Sequence, residues 1–317
     1  MVSPPITSVK ALVETEFATG TIYYRKWDLE NIIVPTLGAF EVQAITPKDI
    51  VNMLDASKRS WTTQKRILTS TKKLFDHAVG KQIITNNPCL GINLKALLGP
   101  RPPVRRRVML SEEELRVLLA DIDYIGTENA LAFRVLLATC VRSIELVKAK
   151  WEHIDFDKKT WWVPDESVKT RKGFLVPLTP TVADWFRSLR DLAGETQWVL
   201  PGRTERRHRQ GDNHVGKTTL WASVQRAFMR GDIEIRRFTP HDTRSTAKGH
   251  VRNMGISREI SEIALNHTLK GMEAIYDVRE DIPERRAALE QWATFIVACE
   301  NGTPWTRANQ KTNFILG

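Results

Sequence analysis

Apolar residues recur along this chain every three to four positions, and the pattern breaks off at a few sharply polar points. From Trp61 to Gly80, Ile67, Leu68, Leu74, Phe75 and Ala78 fall on one side of a helical wheel. Lys65, Arg66, Lys72 and Lys73 fall on the other, so the spacing predicts one long amphipathic helix. A shorter helix is expected before it. Thr46-Pro47-Lys48-Asp49 has the form of a capping box, and Ile50, Met53 and Leu54 follow. The same device stands at Ser111–Glu114, ahead of Leu115, Leu118 and Leu119, and again at Thr239–Asp242. Residues 130–139 are apolar and read as a helix. The runs 160–164 and 174–178 read as strands joined by a tight basic connection, Lys-Thr-Arg-Lys-Gly. The rest of the chain returns to helical spacing. The expected fold is mainly α, with a helical first part, a mainly helical second part and a small antiparallel sheet in the second.

The clearest break is Gly-Pro-Arg-Pro-Pro-Val-Arg-Arg-Arg-Val at 99–108. Three prolines stop regular structure, and four arginines repel one another and keep the segment extended. It reads as an interdomain linker whose Arg105, Arg106 and Arg107 suit a phosphate backbone; an ordinary basic surface loop is the plainer alternative. The division expected is 1–98, a helical domain; 99–110, linker; 111–300, a second, mainly helical domain; and 301–317, a weakly ordered polar tail. Near the end, Leu289, Trp292, Phe295 and Ile296 share one side of a helix around 283–300. That side fits docking on a neighbouring copy or packing within the chain equally well.

Charge narrows the partner. The 317 residues carry a formal net charge of +10, which favours a polyanion, nucleic acid before an anionic membrane. No apolar run approaches the roughly 18 residues of a membrane span, and the first residues lack the pattern of a signal peptide. The three cysteines, Cys89, Cys140 and Cys299, are odd in number and unpaired in spacing, which argues for a reducing compartment such as the cytoplasm. The seven histidines show no ligand spacing, so no protein-held metal is expected. The stripe Lys65, Arg66, Lys72 and Lys73 reads as DNA-facing or as a plain solvated face. Arg206 and Arg207 belong to a basic loop, 203–209, that reads as touching DNA phosphate, and Lys217, where residues 217–219 start a helix, is a further expected DNA contact.

Candidate chemistry gathers at Thr-Pro-His-Asp-Thr-Arg-Ser-Thr, 239–246. His241 and Arg244 sit at i and i+3 in the first helical turn, beside the exposed N–H groups and positive dipole end, a spot suited to an anion such as phosphate. Upstream, Thr-Cys-Val-Arg-Ser-Ile-Glu-Leu (139–146) places Arg142 and Glu145 at i and i+3, and Lys169 lies in the connection between the strands. Downstream come His267 and, nine residues on, Tyr276.

This ordered set, Arg142, Lys169, His241, Arg244, His267 and Tyr276, resembles the tyrosine recombinase family of phage-type integrases, over most of residues 40–297. The segment 36–50 is similar to the start of the family's core-binding domain, and 276–293 to the tail of integrases from genomic islands. Two positions depart from the pattern. Cys140 stands where the family usually has glycine, and Asn266 precedes His267 where it favours Leu-Gly-His. The resemblance implies a site-specific recombinase that needs no cofactor and no ATP, with 1–98 as a helical core-type DNA-binding domain and 111–300 as the catalytic domain. Tyr276 would be the nucleophile that forms a 3′-phosphotyrosine, Arg142 and Arg244 would bind phosphate oxygens, and Lys169 would protonate the leaving 5′-oxygen. His241 would take the phenol proton or bond near it, and His267 would donate to a phosphate oxygen. Glu145 and Asp242 would orient these cations and cap the helix. The implied partners are double-stranded DNA, further copies in a tetramer on DNA, and accessory DNA-bending or directionality factors, in a bacterial cytoplasm at the nucleoid. An extra N-terminal domain for arm-type DNA is not evident, so the protein either works without one or is part of a longer chain.

The chemistry has a clear demand. A phenol has a pKa near 10, so about one in a thousand is ionised at neutral pH, a deficit of roughly 4 kcal/mol. Forked guanidiniums that stay charged suit the growing charge of a pentacoordinate phosphorus, each supplying roughly 3 kcal/mol by analogy with oxyanion-hole donors. Two rivals remain in the sequence. Gly211–Thr218 fits the spacing of an ATPase phosphate loop, though the basic run 203–210 stands where a strand should lead in. Residues 250–267, with Gly255 in the turn, read as a regulator's helix-turn-helix or an inactive relative.

Overall fold

The computed structural model describes residues 19–168, 173–265 and 282–306. The chain separates into two units, with the boundary between Arg105 and Arg106.

The first unit is helical. Helix α1 (Thr19–Asp28) runs on through a wider turn, Leu29–Ile33, and a last turn, Val34–Leu37. Helix α2 (Pro47–Ser57) starts at the expected box: Asp49 N–H donates to Thr46 Oγ1 at 3.4 Å, and Thr46 N–H donates to the Asp49 carboxylate at 2.9 Å. Helix α3 (Trp61–Gly80) has the predicted span, and a short α4 (Leu94–Leu98) follows. Ile50, Met53, Leu54, Ile67 and Phe75 close the core, with Ile32, Ile33 and Leu37 from the extension of α1. The inner face of α3 also buries Gln64, Ser70 and Thr71, which hydrophobic periodicity alone does not mark.

The second unit surrounds α6 (Thr127–Thr139), whose residues 130–139 are all buried. A helix apolar all round belongs inside a core. Helix α5 (Glu112–Ala120) opens at the Ser111 box, with Leu115, Leu118 and Leu119 inward. After a single-turn α7 (Ser143–Val147) comes a three-stranded antiparallel sheet in the order β1 (Ile154–Asp155), β2 (Thr160–Val163), β3 (Phe174–Pro177), with Trp161 opposite Val176. The two predicted strands are present; β1 has too few residues to show a period. Helices α8 (Pro180–Ala193), α9 (Thr204–Gln210), α10 (Thr219–Arg230), α11 (Pro240–Asn253), α12 (Arg258–Ala264) and α13 (Ile282–Glu300) complete the unit.

Helix α13 settles the two readings of its apolar side. Leu289, Trp292, Phe295 and Ile296 are buried within the chain, Trp292 Nε1–H donates to Leu137 O of α6 at 2.8 Å, and Arg134 of α6 pairs with Glu300 at 2.6 Å. That face is core, so it is not available to a neighbour. The expected weak order of the tail does not extend to 301–306: Arg116 donates to Thr303 O at 3.0 Å, and Trp305 packs edge-on to Phe295. Residues 307–317 lie outside the described residues. Among the described residues no helix is long and apolar enough to cross a membrane.

Candidate active site

Helix α11 carries the centre of the site. Thr239 caps it, Pro240 takes the first position, and the Asp242 carboxylate accepts the Thr239 N–H at 2.7 Å. One face of this helix is polar yet buried: Asp242, Thr246 and His250, at i, i+4 and i+8. That face holds an extended segment. Val108 N–H donates to Asp242 Oδ1 at 3.2 Å, Leu110 N–H donates to Thr246 Oγ1 at 3.0 Å, and His250 Nε2 lies 2.9 Å from Leu110 O. The stretch read as linker is therefore fastened to α11 from Val108 on. Just before it, exposed Arg107 reaches Asp242 at 3.9 Å.

Arg244, one turn into α11, is buried and spans two main-chain carbonyls, those of Cys140 and Leu265. Cys140 ends α6 in the left-handed region at φ 58°. A glycine suits that conformation, which accounts for the family's preference; here cysteine adopts it with its side chain buried. Burial pushes the thiol up to about 11, so it is no nucleophile at neutral pH. Two residues on, Arg142 sits at the N-terminal edge of α7. Its N–H donates to Glu145 at 2.7 Å and its Nη1 donates to the same carboxylate at 2.8 Å. Glu145 is fully buried, whereas Arg142 remains 22% exposed, so the carboxylate aims the guanidinium from below.

Arg142, Arg244 and His241 are close enough to perturb one another. Burial, then Arg142, holds Arg244 below its ordinary value. His241 is also lowered, by burial first, then by Arg107, Arg244 and Arg142, with Asp242 opposing. The neutral imidazole is thereby favoured at neutral pH, the form able to accept a proton.

The structure thus brings together Arg142, His241 and Arg244, with Glu145 and Asp242 supporting them. Lys169, His267 and Tyr276 lie outside the described residues. The chain reaches Lys169 from buried Val168, and on the far side Gly173 N–H donates to Asp165 at 2.8 Å. A Cβ at Gly173 would stand 2.6 Å from Trp162, so this return to β3 needs glycine.

The proposed DNA contacts divide. Lys65, Lys72 and Lys73 are exposed on α3, as are Arg105, Arg106 and Arg107. Arg66 is a correction. Its guanidinium forks onto fully buried Asp28 at 2.7 and 2.8 Å and covers the Tyr24 ring, so its charge is already matched. Residues 203–210, read as a loop, are mostly helix α9, with Arg206 exposed, Arg207 half-buried, and Lys217 exposed beyond it. A helix also leads into Gly211–Thr218, and Gly202 N–H and Val215 N–H pair 200–202 with 213–215. That is not the strand-loop-helix of a phosphate loop. Sequence reasoning missed Thr246 and His250, because nothing in a polar helix face says which segment lies on it.

Residues 108–281, more than half of the chain, match the phage integrase family, and residues 10–93 match the phage integrase central domain. The chain belongs to the phage integrase family, the tyrosine recombinases. Prophage integrase IntZ of Escherichia coli K12 is 26% identical over 281 residues, 87% of this chain and 66% of the relative. The integrase of Enterobacteria phage P4 is 25% identical over 84% of this chain and 63% of its own length. Tyrosine recombinase XerD of Pasteurella multocida is 25% identical over 68% of this chain and 71% of its own. The chain spans just under two thirds of the length of the prophage relatives. A λ integrase dimer bound to a COC′ core site matches with a TM-score of 0.63 at 20% identity, covering 85% of this chain and 95% of that one. A λ integrase tetramer bound to a Holliday junction matches with a TM-score of 0.64 at 18% identity, covering 86% and 75%. At such identities the likeness is one of fold.

Proposed function

We propose that this protein is a site-specific DNA recombinase that breaks and rejoins duplex DNA through a covalent 3′-phosphotyrosine. The observation that carries the reading is the convergence of Arg142 and Arg244 beside His241, with buried Glu145 fixing Arg142. Two guanidiniums on one phosphate offset the charge that builds on its non-bridging oxygens. Tyr276 Oη attacks phosphorus and its proton passes to His241; the bond to the 5′-oxygen breaks, and Lys169 returns a proton to that oxygen. His267 donates to a non-bridging oxygen. The ester keeps the energy of the broken bond, so rejoining needs no ATP, and the paired arginines occupy the role a metal ion would take.

The λ integrase tetramer on a Holliday junction supports a tetramer on DNA for this chain too; accessory DNA-bending or directionality factors are further partners that the recombinase reading implies. The helix-turn-helix reading has less support. Helices α11 and α12 do meet at a turn with Gly255 at φ 83°, but α11 is committed to the arginine pocket and to residues 108–110. The test is Tyr276→Phe on a nicked duplex. We expect duplex binding to persist and the covalent adduct to vanish, and wild-type adduct to form in excess EDTA. An adduct surviving Tyr276→Phe ends the assignment.

A further inference from the structure

Two arginines outside the family set stand together in the first turns of α13. Arg285 is buried at 6% exposure. Its Nη1 donates to Leu175 O of β3 at 2.6 Å, its Nη2 reaches Ala264 O at the end of α12 at 3.4 Å, and the guanidinium lies over Phe174. Arg286 donates to Leu178 O at 2.8 Å and to Lys159 O at 3.0 Å. Both therefore staple α13 to the sheet, but only Arg285 also grips α12.

The positions of those carbonyls matter. Leu175 lies on the strand that receives the Lys169 connection. Ala264 lies three residues before His267, and Arg285 nine residues after Tyr276. The neighbouring Leu265 O is held by Arg244, so two adjacent carbonyls of one turn are gripped by two buried guanidiniums. Arg285 also acts electrostatically on Cys140, as Arg244 does. One planar fork thus joins the return of the lysine connection, the approach to His267 and the helix that follows Tyr276.

We propose that Arg285 is a positioning residue for strand cleavage: by fixing the strand that receives the Lys169 connection, it sets how Lys169 meets the leaving 5′-oxygen of the phosphate held by Arg142 and Arg244. The proposal rests on the recombinase reading. Lysine at 285 could meet one carbonyl but not span both. Misplacing a proton donor by a fraction of its reach costs rate without costing affinity.

The test begins with a library of randomised duplexes, each nicked so that a covalent adduct is trapped, from which wild-type protein selects its own substrate. The selected duplex is then made with sulfur in place of the leaving 5′-oxygen, since a thiolate departs without a proton. Arg285→Lys, Arg285→Ala and Arg286→Ala are compared. We expect Arg285→Ala to bind the duplex as wild type does and to form adduct on the oxygen substrate roughly tenfold or more slowly. Arg285→Lys falls between the two. On the sulfur substrate most of the defect disappears. Arg286→Ala, which removes comparable staples, lowers the melting temperature with no selective loss on the oxygen substrate. If Arg285→Ala does not fold, Arg285→Lys alone carries the comparison. Equal losses on both substrates, or no loss with either Arg285 variant, overturn the proposal while leaving the recombinase reading intact. Absence of any wild-type adduct overturns both.

Discussion

At the scale of single residues, the site depends on a charge, that of Arg142, which is aimed from beneath and stays partly exposed in front. Glu145 gives both oxygens to Arg142 and none to solvent. Glu145→Gln keeps the shape but removes the charge and one acceptor. We expect a loss of about 1–3 kcal/mol in urea unfolding and an adduct rate lower by roughly tenfold to a hundredfold. An unchanged rate would mean that Arg142 finds its position without help. His241 makes a second prediction. Its pKa is lowered in the fold, so protonation is disfavoured there and the neutral base persists to a more acid pH than a free imidazole would allow. Cleavage that uses this base rises with pH, with an acid limb centred below about 6.5. Arg107 is a cation that depresses His241, so Arg107→Ala should move that limb toward higher pH. A limb that stays put, or moves to lower pH, in the rate profile refutes the coupling.

At the scale of elements, the division between what could be read and what could not is physical. The capping boxes at Thr46, Ser111 and Thr239 are local, and each opens a helix where the sequence puts one. The span of α3 and the two longer strands were likewise visible, because amphipathic spacing and β-branched or aromatic runs act at short range. Long-range partners were not visible. Arg66 has the same spacing as Lys65 and Lys72, yet a carboxylate 38 positions away claims it. The α13 apolar side reads the same whether it meets another copy or its own α6. Arg142, His241 and Arg244 could be named because a family order supplied the long-range information; the grip of Arg285 on Leu175 and Ala264 has no such precedent in the sequence. The seam of α11 on residues 108–110 is of this hidden kind and can be tested. Thr246→Val preserves volume but leaves the buried Leu110 N–H without its acceptor, so we expect about 1–3 kcal/mol of destabilisation in urea. A neutral result would mean the seam is held by packing alone.

At the scale of the whole molecule, the formal charge of +10 is the excess of 47 lysines and arginines over 37 carboxylates, and it says nothing of where the cations open to DNA lie. Arg66, Arg134 and Arg236 already face carboxylates of the chain away from the proposed site, Arg236 on Glu114 at 2.6 Å. That pair holds Glu114 down at about 2. Exposed Arg106 and Lys217 are candidates of a different sort. Duplex binding by counterion release falls with salt at a slope of about −0.9 per phosphate neutralised. Arg106→Gln and Lys217→Gln should each flatten that slope by about 1. Arg66→Gln should leave the slope alone and instead weaken the first unit by roughly 2 kcal/mol, because Asp28 would keep a buried charge with its main partner gone; the figure is held below that of a fully buried pair because Arg66 is one-third exposed. Fluorescence anisotropy on a fixed duplex across a salt series, beside urea unfolding, separates the two behaviours. If Arg66→Gln flattens the slope as much as Lys217→Gln does, then α3 offers DNA its whole basic stripe and the pairing with Asp28 gives way when DNA arrives.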